Sequence, residues 1–113
     1  MMIVAFDEDR DWYIQGWVFD EIVGSVPTGM LRDDDVDEHL RPGRAMGLLD
    51  LQAREPDRAR RIITALSAGV VGRMRTLDQS NDKYVEFYEG LLRTAAAAAR
   101  ELPTGHNGAH SSS

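Results

Sequence analysis

The sequence predicts an all-α fold, a small helical bundle built on a C-terminal antiparallel helical hairpin. Apolar residues recur at helical spacing in residues 56–77 and again in residues 82–102. A polar turn of four residues, 78–81, separates the two stripes, so the helices should pack as an antiparallel pair. The chain of 113 residues fits one domain and not two. We therefore expect a single helical domain over residues 1–103.

The last helix has the clearest pattern. Ser80 or Asn81 can cap its start, and Pro103 can end it. Its apolar stripe has spacings of three and four residues and consists of Tyr84, Tyr88, Leu91, Ala95, Ala98 and Leu102. Residues 104–113 are rich in Gly, Asn and Ser, which predicts a disordered tail.

The preceding helix should begin at Pro56, a favoured first helical residue. One face carries the apolar stripe of this helix, which consists of Ala59, Ile62, Ile63, Leu66, Val70, Met74 and Leu77. The face behind it carries Ala65, Gly69 and Gly72. Two glycines cost roughly 2 kcal/mol of helix propensity relative to alanine, so close packing against another element is the expected compensation. That element is a helix over residues 9–24 or a second copy of the chain in a homodimer.

The first half of the sequence allows two interpretations. A helix over residues 9–24 would place Ile14, Trp17, Val18 and Ile22 on one face. The alternative is an α+β fold in which residues 2–6 and 12–19 form a β-hairpin, because both runs favour strands. The connection between those runs lacks Gly and Asn, so we predict the helix.

Short helical turns are predicted between this helix and Pro56. Asp35 and Glu38 have the spacing of a capping box at a helix start. Pro42 and Gly43 should interrupt that helix, and residues 46–53 should form another helical turn or two.

Composition excludes several classes of protein. The chain has no cysteine, so it can hold neither a disulfide nor a thiolate metal site. The N-terminal segment lacks the basic region of a signal peptide, and no apolar run reaches the ~18 residues that span a membrane. The sequence therefore predicts a cytoplasmic protein without a membrane segment.

Charge is distributed unevenly around a net value of -6. Residues 1–38 hold eleven acids against two bases, whereas the remainder holds eight acids against eleven bases. Phosphate would be repelled by the acidic part, so we expect no nucleic-acid binding and favour a basic protein partner. Arg54, Arg58 and Arg61, on the rear face of the 56–77 helix, should pair with part of the acidic segment.

The acid run at residues 33–38 is the main candidate site. A calcium loop needs Gly at its sixth position and Glu at its twelfth, which here are Glu38 and Arg44. We therefore expect no bound metal and predict that the acidic segment, which also carries both tryptophans, binds a protein partner. The predicted partner-binding residues are Asp33, Asp34, Asp35, Asp37, Glu38 and Trp17.

Catalytic and cofactor motifs are weak. His39 has no nucleophile in a recognisable turn, and the i,i+4 pair His106 and His110 falls in the predicted tail. Gly69 and Gly72 lack the Lys and the strand of a phosphate-binding loop, so no cofactor is expected. The sequence predicts a small acidic helical protein-binding module, such as a neutraliser of a basic toxin or a regulatory subunit. The alternative is a small enzyme or ligand carrier that uses carboxylates and arginines at a helical cleft.

Overall fold

The computed structural model describes residues 1–52, 54–76 and 82–102, and it shows an α+β fold. Three strands form a mixed sheet in the order β2-β1-β3: β1 Met2–Ala5, β2 Asp11–Ile14 and β3 Leu48–Asp50. Strand β1 is antiparallel to β2 and parallel to β3. The helical elements are α1 Gly16–Gly24, α2 Asp33–Asp35, a π-helical turn Val36–Leu40, α3 Arg41–Met46, α4 Pro56–Thr76 and α5 Asp82–Glu101.

The all-α prediction is wrong at the N-terminus, where β1 and β2 form a hairpin in place of a helix over residues 9–24. Only residues 16–24 of that range are helical. The hairpin turn needs neither Gly nor Asn because Asp7 organises it. One Asp7 carboxylate oxygen accepts the Asp9 backbone N–H at 2.8 Å, and the other accepts Arg10 Nη1 at 3.0 Å.

The segment from residue 33 to residue 46, here called the 33–46 helix, comprises α2, the π-helical turn and α3 without a break. Its predicted interruption at Pro42 and Gly43 is wrong. A proline ring clashes with the carbonyl four residues earlier in a regular α-helix, and the wider π-helical turn just before Pro42 gives it room. The predicted cap also differs, because the Asp35 carboxylate accepts the Arg32 backbone N–H at the helix start.

The helical turns predicted for residues 46–53 are replaced by strand β3. Gly47 ends the 33–46 helix in a left-handed conformation with φ 79°, which favours glycine. The chain then extends, and Leu48, Leu49 and Asp50 pair with Ile3, Val4 and Ala5 of β1. Residue 53 of the predicted turn lies outside the described residues.

The core lies between the inner face of the sheet and the helices. Trp12 is buried at its centre, where its Nε1 donates to the Leu91 carbonyl at 3.1 Å and Phe6 contacts its ring edge to face. Other buried side chains come from every layer and include Met2, Val4, Ile14, Phe19, Ile22, Leu49, Ile62, Ile63, Leu66, Val70 and Tyr88. Burial of this apolar surface is the main stabilising term.

The predicted hairpin of two C-terminal helices is confirmed. Arg60, near the start of α4, donates to the carbonyls of Ala99 and Leu102 at the end of α5, so the helices are antiparallel. The predicted turn and cap at 78–81, Leu77, Pro103 and the tail with His106 and His110 lie outside the described residues. None of the helices in the described part of the chain has both the length and the apolar character needed to cross a membrane.

The rear face of α4 packs against α1, as its small residues predicted. A Cβ atom added to Gly69 would collide with the backbone carbonyl of Ile22, and one added to Gly72 would lie 3.0 Å from the Ser25 carbonyl. Ala65 is fully buried on the same face. The neighbour of this face is therefore the C-terminal end of α1 and the residue that follows it.

Candidate functional site

The predicted acidic site begins with a buried carboxylate. Asp35 is 0% exposed, and it receives two hydrogen bonds from Arg61: Nε to Oδ2 at 2.7 Å and Nη2 to Oδ1 at 2.8 Å. The Arg58 Nε atom lies 3.5 Å from Oδ1. The Arg61 guanidinium holds the pKa of Asp35 at about 2. Asp35 therefore joins the 33–46 helix to α4, and a docking partner cannot reach it in this structure.

The other predicted acids have different environments. Asp34 pairs with Arg58 at 3.1 Å, and Glu38 lies 4.0 Å from the same guanidinium with most of its side chain exposed. Asp37 pairs with Arg41 at 2.7 Å on the surface, and Asp33 is exposed. The predicted pairing of arginines with the acidic segment is confirmed for Arg58 and Arg61. Among the described residues, Arg54 forms no salt bridge with that segment. Three carboxylates remain open to a partner: Asp33, Asp37 and Glu38.

His39 lies next to this ion-pair cluster and is buried. Arg58 Nη1 donates to His39 Nε2, so the ring must be neutral to accept that hydrogen bond. Burial lowers the pKa of His39, and the nearby Arg54 and Arg58 lower it further, although Glu38 and Asp35 act in the opposite direction. The His39 Nδ1 atom has no hydrogen-bond partner among the described residues. The folded protein therefore keeps His39 neutral at a mildly acidic pH at which the same side chain would be protonated in the unfolded chain.

We expect the stability to fall when the pH is lowered through the range in which free histidine titrates. Unfolded His39 binds a proton near pH ~6.5, whereas the folded state binds it only at lower pH, so the free energy of unfolding decreases below that value. In His39→Gln, which keeps an acceptor for Arg58, the decrease between about pH 7 and about pH 5 should be smaller. Urea unfolding at both pH values measures this difference. Equal decreases in the parent and the variant would contradict it.

A second candidate surface lies on the outer face of the sheet. Tyr13 and Leu48 both pair with Ile3, so the three side chains form one row across β2, β1 and β3. Tyr13 is 61% exposed and Leu48 is 43% exposed, whereas the neighbouring inward-facing residues Trp12 and Leu49 are buried. This row leaves a contiguous apolar surface open to solvent.

Further apolar side chains surround the same end of the sheet. Strand β1 begins there, β2 ends there and β3 begins there, because β2 is antiparallel and β3 parallel to β1. Met1 precedes β1, Trp17 follows β2 at the start of α1, and Met46 precedes β3, and all three are more than half exposed. We call this set the strand-end patch, and it comprises Met1, Ile3, Tyr13, Trp17, Met46 and Leu48.

The strand-end patch contains only one residue that the sequence analysis selected, Trp17. The strand-favouring run at residues 12–19, on which the β-hairpin interpretation rests, is the signal that could have placed Tyr13 on a strand. Met46 and Leu48 carry no comparable signal, because their position depends on how β3 pairs with β1.

A groove between α1 and the 33–46 helix is a third feature. The floor is apolar and includes Phe19, Val23, Val36 and Leu40. At the mouth, Arg44 Nε donates to Asp20 Oδ1 at 2.9 Å and Arg44 Nη2 donates to Asp20 Oδ2 at 3.2 Å. The groove therefore has an apolar floor and one arginine–carboxylate pair at its mouth.

No family model, curated protein or solved structure matches this chain. Within residues 1–52, 54–76 and 82–102, no group of three or more His, Asp or Glu side chains is arranged to hold a metal ion. The geometry of the strand-end patch, the exposed acids and the groove is therefore the basis for a functional proposal.

Proposed function

We propose that this protein is a small acidic protein-binding module whose partner is a basic protein. The observation that supports this proposal is the strand-end patch. Tyr13, Trp17 and Met46 are 61%, 55% and 78% exposed at one end of a small sheet. Within the patch, Ile3, Tyr13 and Leu48 form a contiguous apolar row, and exposed surface of this kind is typical of an interaction site. Trp, Tyr and Met are also enriched in interface cores.

The charge around the patch favours a basic partner. The row of the outer sheet face next to Tyr13, Ile3 and Leu48 consists of Asp11, Ala5 and Asp50, so apolar and acidic rows lie side by side. A partner with an apolar centre bordered by Lys or Arg would complement both rows. The net charge of -6 would also accelerate its approach.

The remaining predicted acids have a supporting role in this proposal. Asp33, Asp37 and Glu38 are exposed, and they extend the negative field beyond the sheet. Asp35 is removed from the proposed contact set because it is buried against Arg61. A neutraliser of a basic toxin and a regulatory subunit are both forms that such a module takes.

The test compares two exposed tyrosines, Tyr13 in the patch and Tyr84 on α5 outside it. The tagged chain and its Tyr13→Ser, Trp17→Ala and Tyr84→Ser variants are used to capture proteins from an extract of the native host. A partner should be retained by the parent and by Tyr84→Ser and lost from both patch variants. With that partner purified, we expect the Kd to rise at least ~30-fold for Trp17→Ala, equivalent to about 2 kcal/mol for an interface hot spot.

Three results would contradict the proposal. One is a partner that binds both patch variants as tightly as it binds the parent. Another is a partner that is acidic, since the complementary charge would then be absent. The third is sedimentation showing that the chain dimerises through the patch, because a second copy would then be the occupant.

Reversing the charge beside the patch should slow association. In Asp11→Lys, we expect the association rate with the basic partner to fall about tenfold at low ionic strength and to depend less on salt. Asp11 is exposed on the outer sheet face, so the fold should be retained. Stopped-flow fluorescence at two salt concentrations measures both effects. An unchanged rate at low salt would show that the acidic row does not steer the partner.

A further inference from the structure

The groove between α1 and the 33–46 helix has the dimensions of a small-molecule site. Its cavity volume is about 580 Å³, within the range of roughly 300–1,000 Å³ that is usual for such sites. Each helix contributes one wall. Phe19, Val23 and Gly24 line it from α1, and Leu40, Arg41 and Arg44 line it from the 33–46 helix.

Two arginines line the groove, and each pairs with one acid. Arg44 pairs with Asp20 across the mouth, and Arg41 pairs with Asp37. Arg41 is largely exposed, and its contact with Asp37 is a surface ion pair, which contributes little and can be exchanged. The groove therefore offers an apolar floor and a guanidinium at its mouth.

We propose that this groove binds an amphiphilic carboxylate, a ligand with one aliphatic chain and a carboxylate headgroup. The chain would pack on Phe19, Val23 and Leu40, where water is poorly accommodated. The carboxylate would accept hydrogen bonds from Arg41, because a guanidinium matches the two oxygens of a carboxylate. This site is separate from the strand-end patch and does not depend on the proposed protein partner.

Gly24 allows the groove to be blocked without disturbing the fold. It lines the groove, and a Cβ atom added there would have no atom within 4 Å. Its φ is not positive, so a side chain is compatible with the backbone. Gly24→Phe should therefore fill the groove. Gly90→Phe on α5 is the matched control, since its Cβ would approach only Arg93 Nη2, at 3.8 Å.

Dodecanoate, kept below its micelle concentration, is the probe, and isothermal titration calorimetry measures its binding. We expect saturable binding to the parent and to Gly90→Phe, and an affinity at least ~10-fold weaker for Gly24→Phe. Thermal unfolding of both variants checks that they remain folded. The proposal is overturned if the parent shows no saturable binding, or if Gly24→Phe binds as tightly as Gly90→Phe.

The headgroup is tested by comparing dodecanoate with dodecanol. The parent should bind the carboxylate at least ~10-fold more tightly than the alcohol, and Arg41→Gln should reduce that preference. Binding of dodecanol to the parent with equal affinity would reject the carboxylate assignment. The carboxylate assignment would also be rejected if Arg41→Gln kept the parent's preference for dodecanoate over dodecanol.

Discussion

Asp35→Asn should destabilise the protein by about 3–5 kcal/mol, the cost of removing one partner from a buried ion pair. Asp35 is fully buried and accepts hydrogen bonds from two Arg61 nitrogens and from the Arg32 backbone N–H. The amide cannot accept on both sides, so Arg61 would face a neutral group with an N–H donor. Urea unfolding at neutral pH measures the change.

Asp37→Asn is the matched control for this prediction. Asp37 lies two residues away and also pairs with an arginine, but both side chains of that pair are exposed. Its loss should cost no more than about 0.5 kcal/mol. Similar losses for the two variants would mean that burial does not distinguish the two ion pairs, and the structural role assigned to Asp35 would be rejected.

Lowering the pH should weaken the contact between Asp35 and Arg61, because the Asp35 carboxylate becomes protonated. The pKa of Asp35 is lowered to about 2 in the folded state, below its ordinary value of 3.8. The carboxylate therefore contributes stability above the unfolded pKa, and that contribution is lost as the pH falls from about 4 towards about 2. The loss for His39 begins at higher pH, so the two groups can be separated by their pH ranges.

The C-terminal half of the fold could be predicted from the sequence because its signals are local. Pro56 begins α4, and the helical stripe in α5 buries Tyr88 and Leu91 as its spacing requires. Each helix is long enough for periodicity to be unambiguous. Close packing at Gly69 was also foreseeable, because a glycine inside a helix costs propensity unless another element approaches it.

The N-terminal half depends on interactions that the sequence pattern does not display. The hairpin turn is organised by the side chain of Asp7, a residue type common to turns and to helix starts. Strand β3 has only three residues, and its partner β1 lies more than forty residues earlier in the chain. A strand of three residues is too short to show an alternating pattern in the sequence, and nothing local indicates that it pairs with so distant a partner.

The candidate site was only partly predictable for the same reason. The consecutive acids Asp33, Asp34 and Asp35 look alike in the sequence, yet only Asp35 is buried. The distinction arises from the direction in which the 33–46 helix meets Arg61 of α4. Trp17 was identified by its residue type, whereas Leu48 required knowledge of the sheet register.

Gly69→Leu should destabilise the protein by about 3 kcal/mol or more, at the upper end of the usual cost of overpacking. The first side-chain carbon at Gly69 would collide with the Ile22 backbone carbonyl, and both the Ile22 and Val26 methyl groups lie only 3.0 Å from it. A backbone group cannot rotate away as a flexible side chain can, so α1 would have to move off α4. Urea and thermal unfolding measure the loss.

Gly90→Leu separates this steric effect from helix propensity. Gly90 lies inside α5, where an added Cβ meets nothing closer than 3.8 Å. Leucine there should stabilise the protein by somewhat less than 1 kcal/mol, because it is the better helix former. The two substitutions should therefore change the free energy of unfolding in opposite directions. If Gly69→Leu were as stable as the parent, α1 would not pack against this face of α4 as the structure shows.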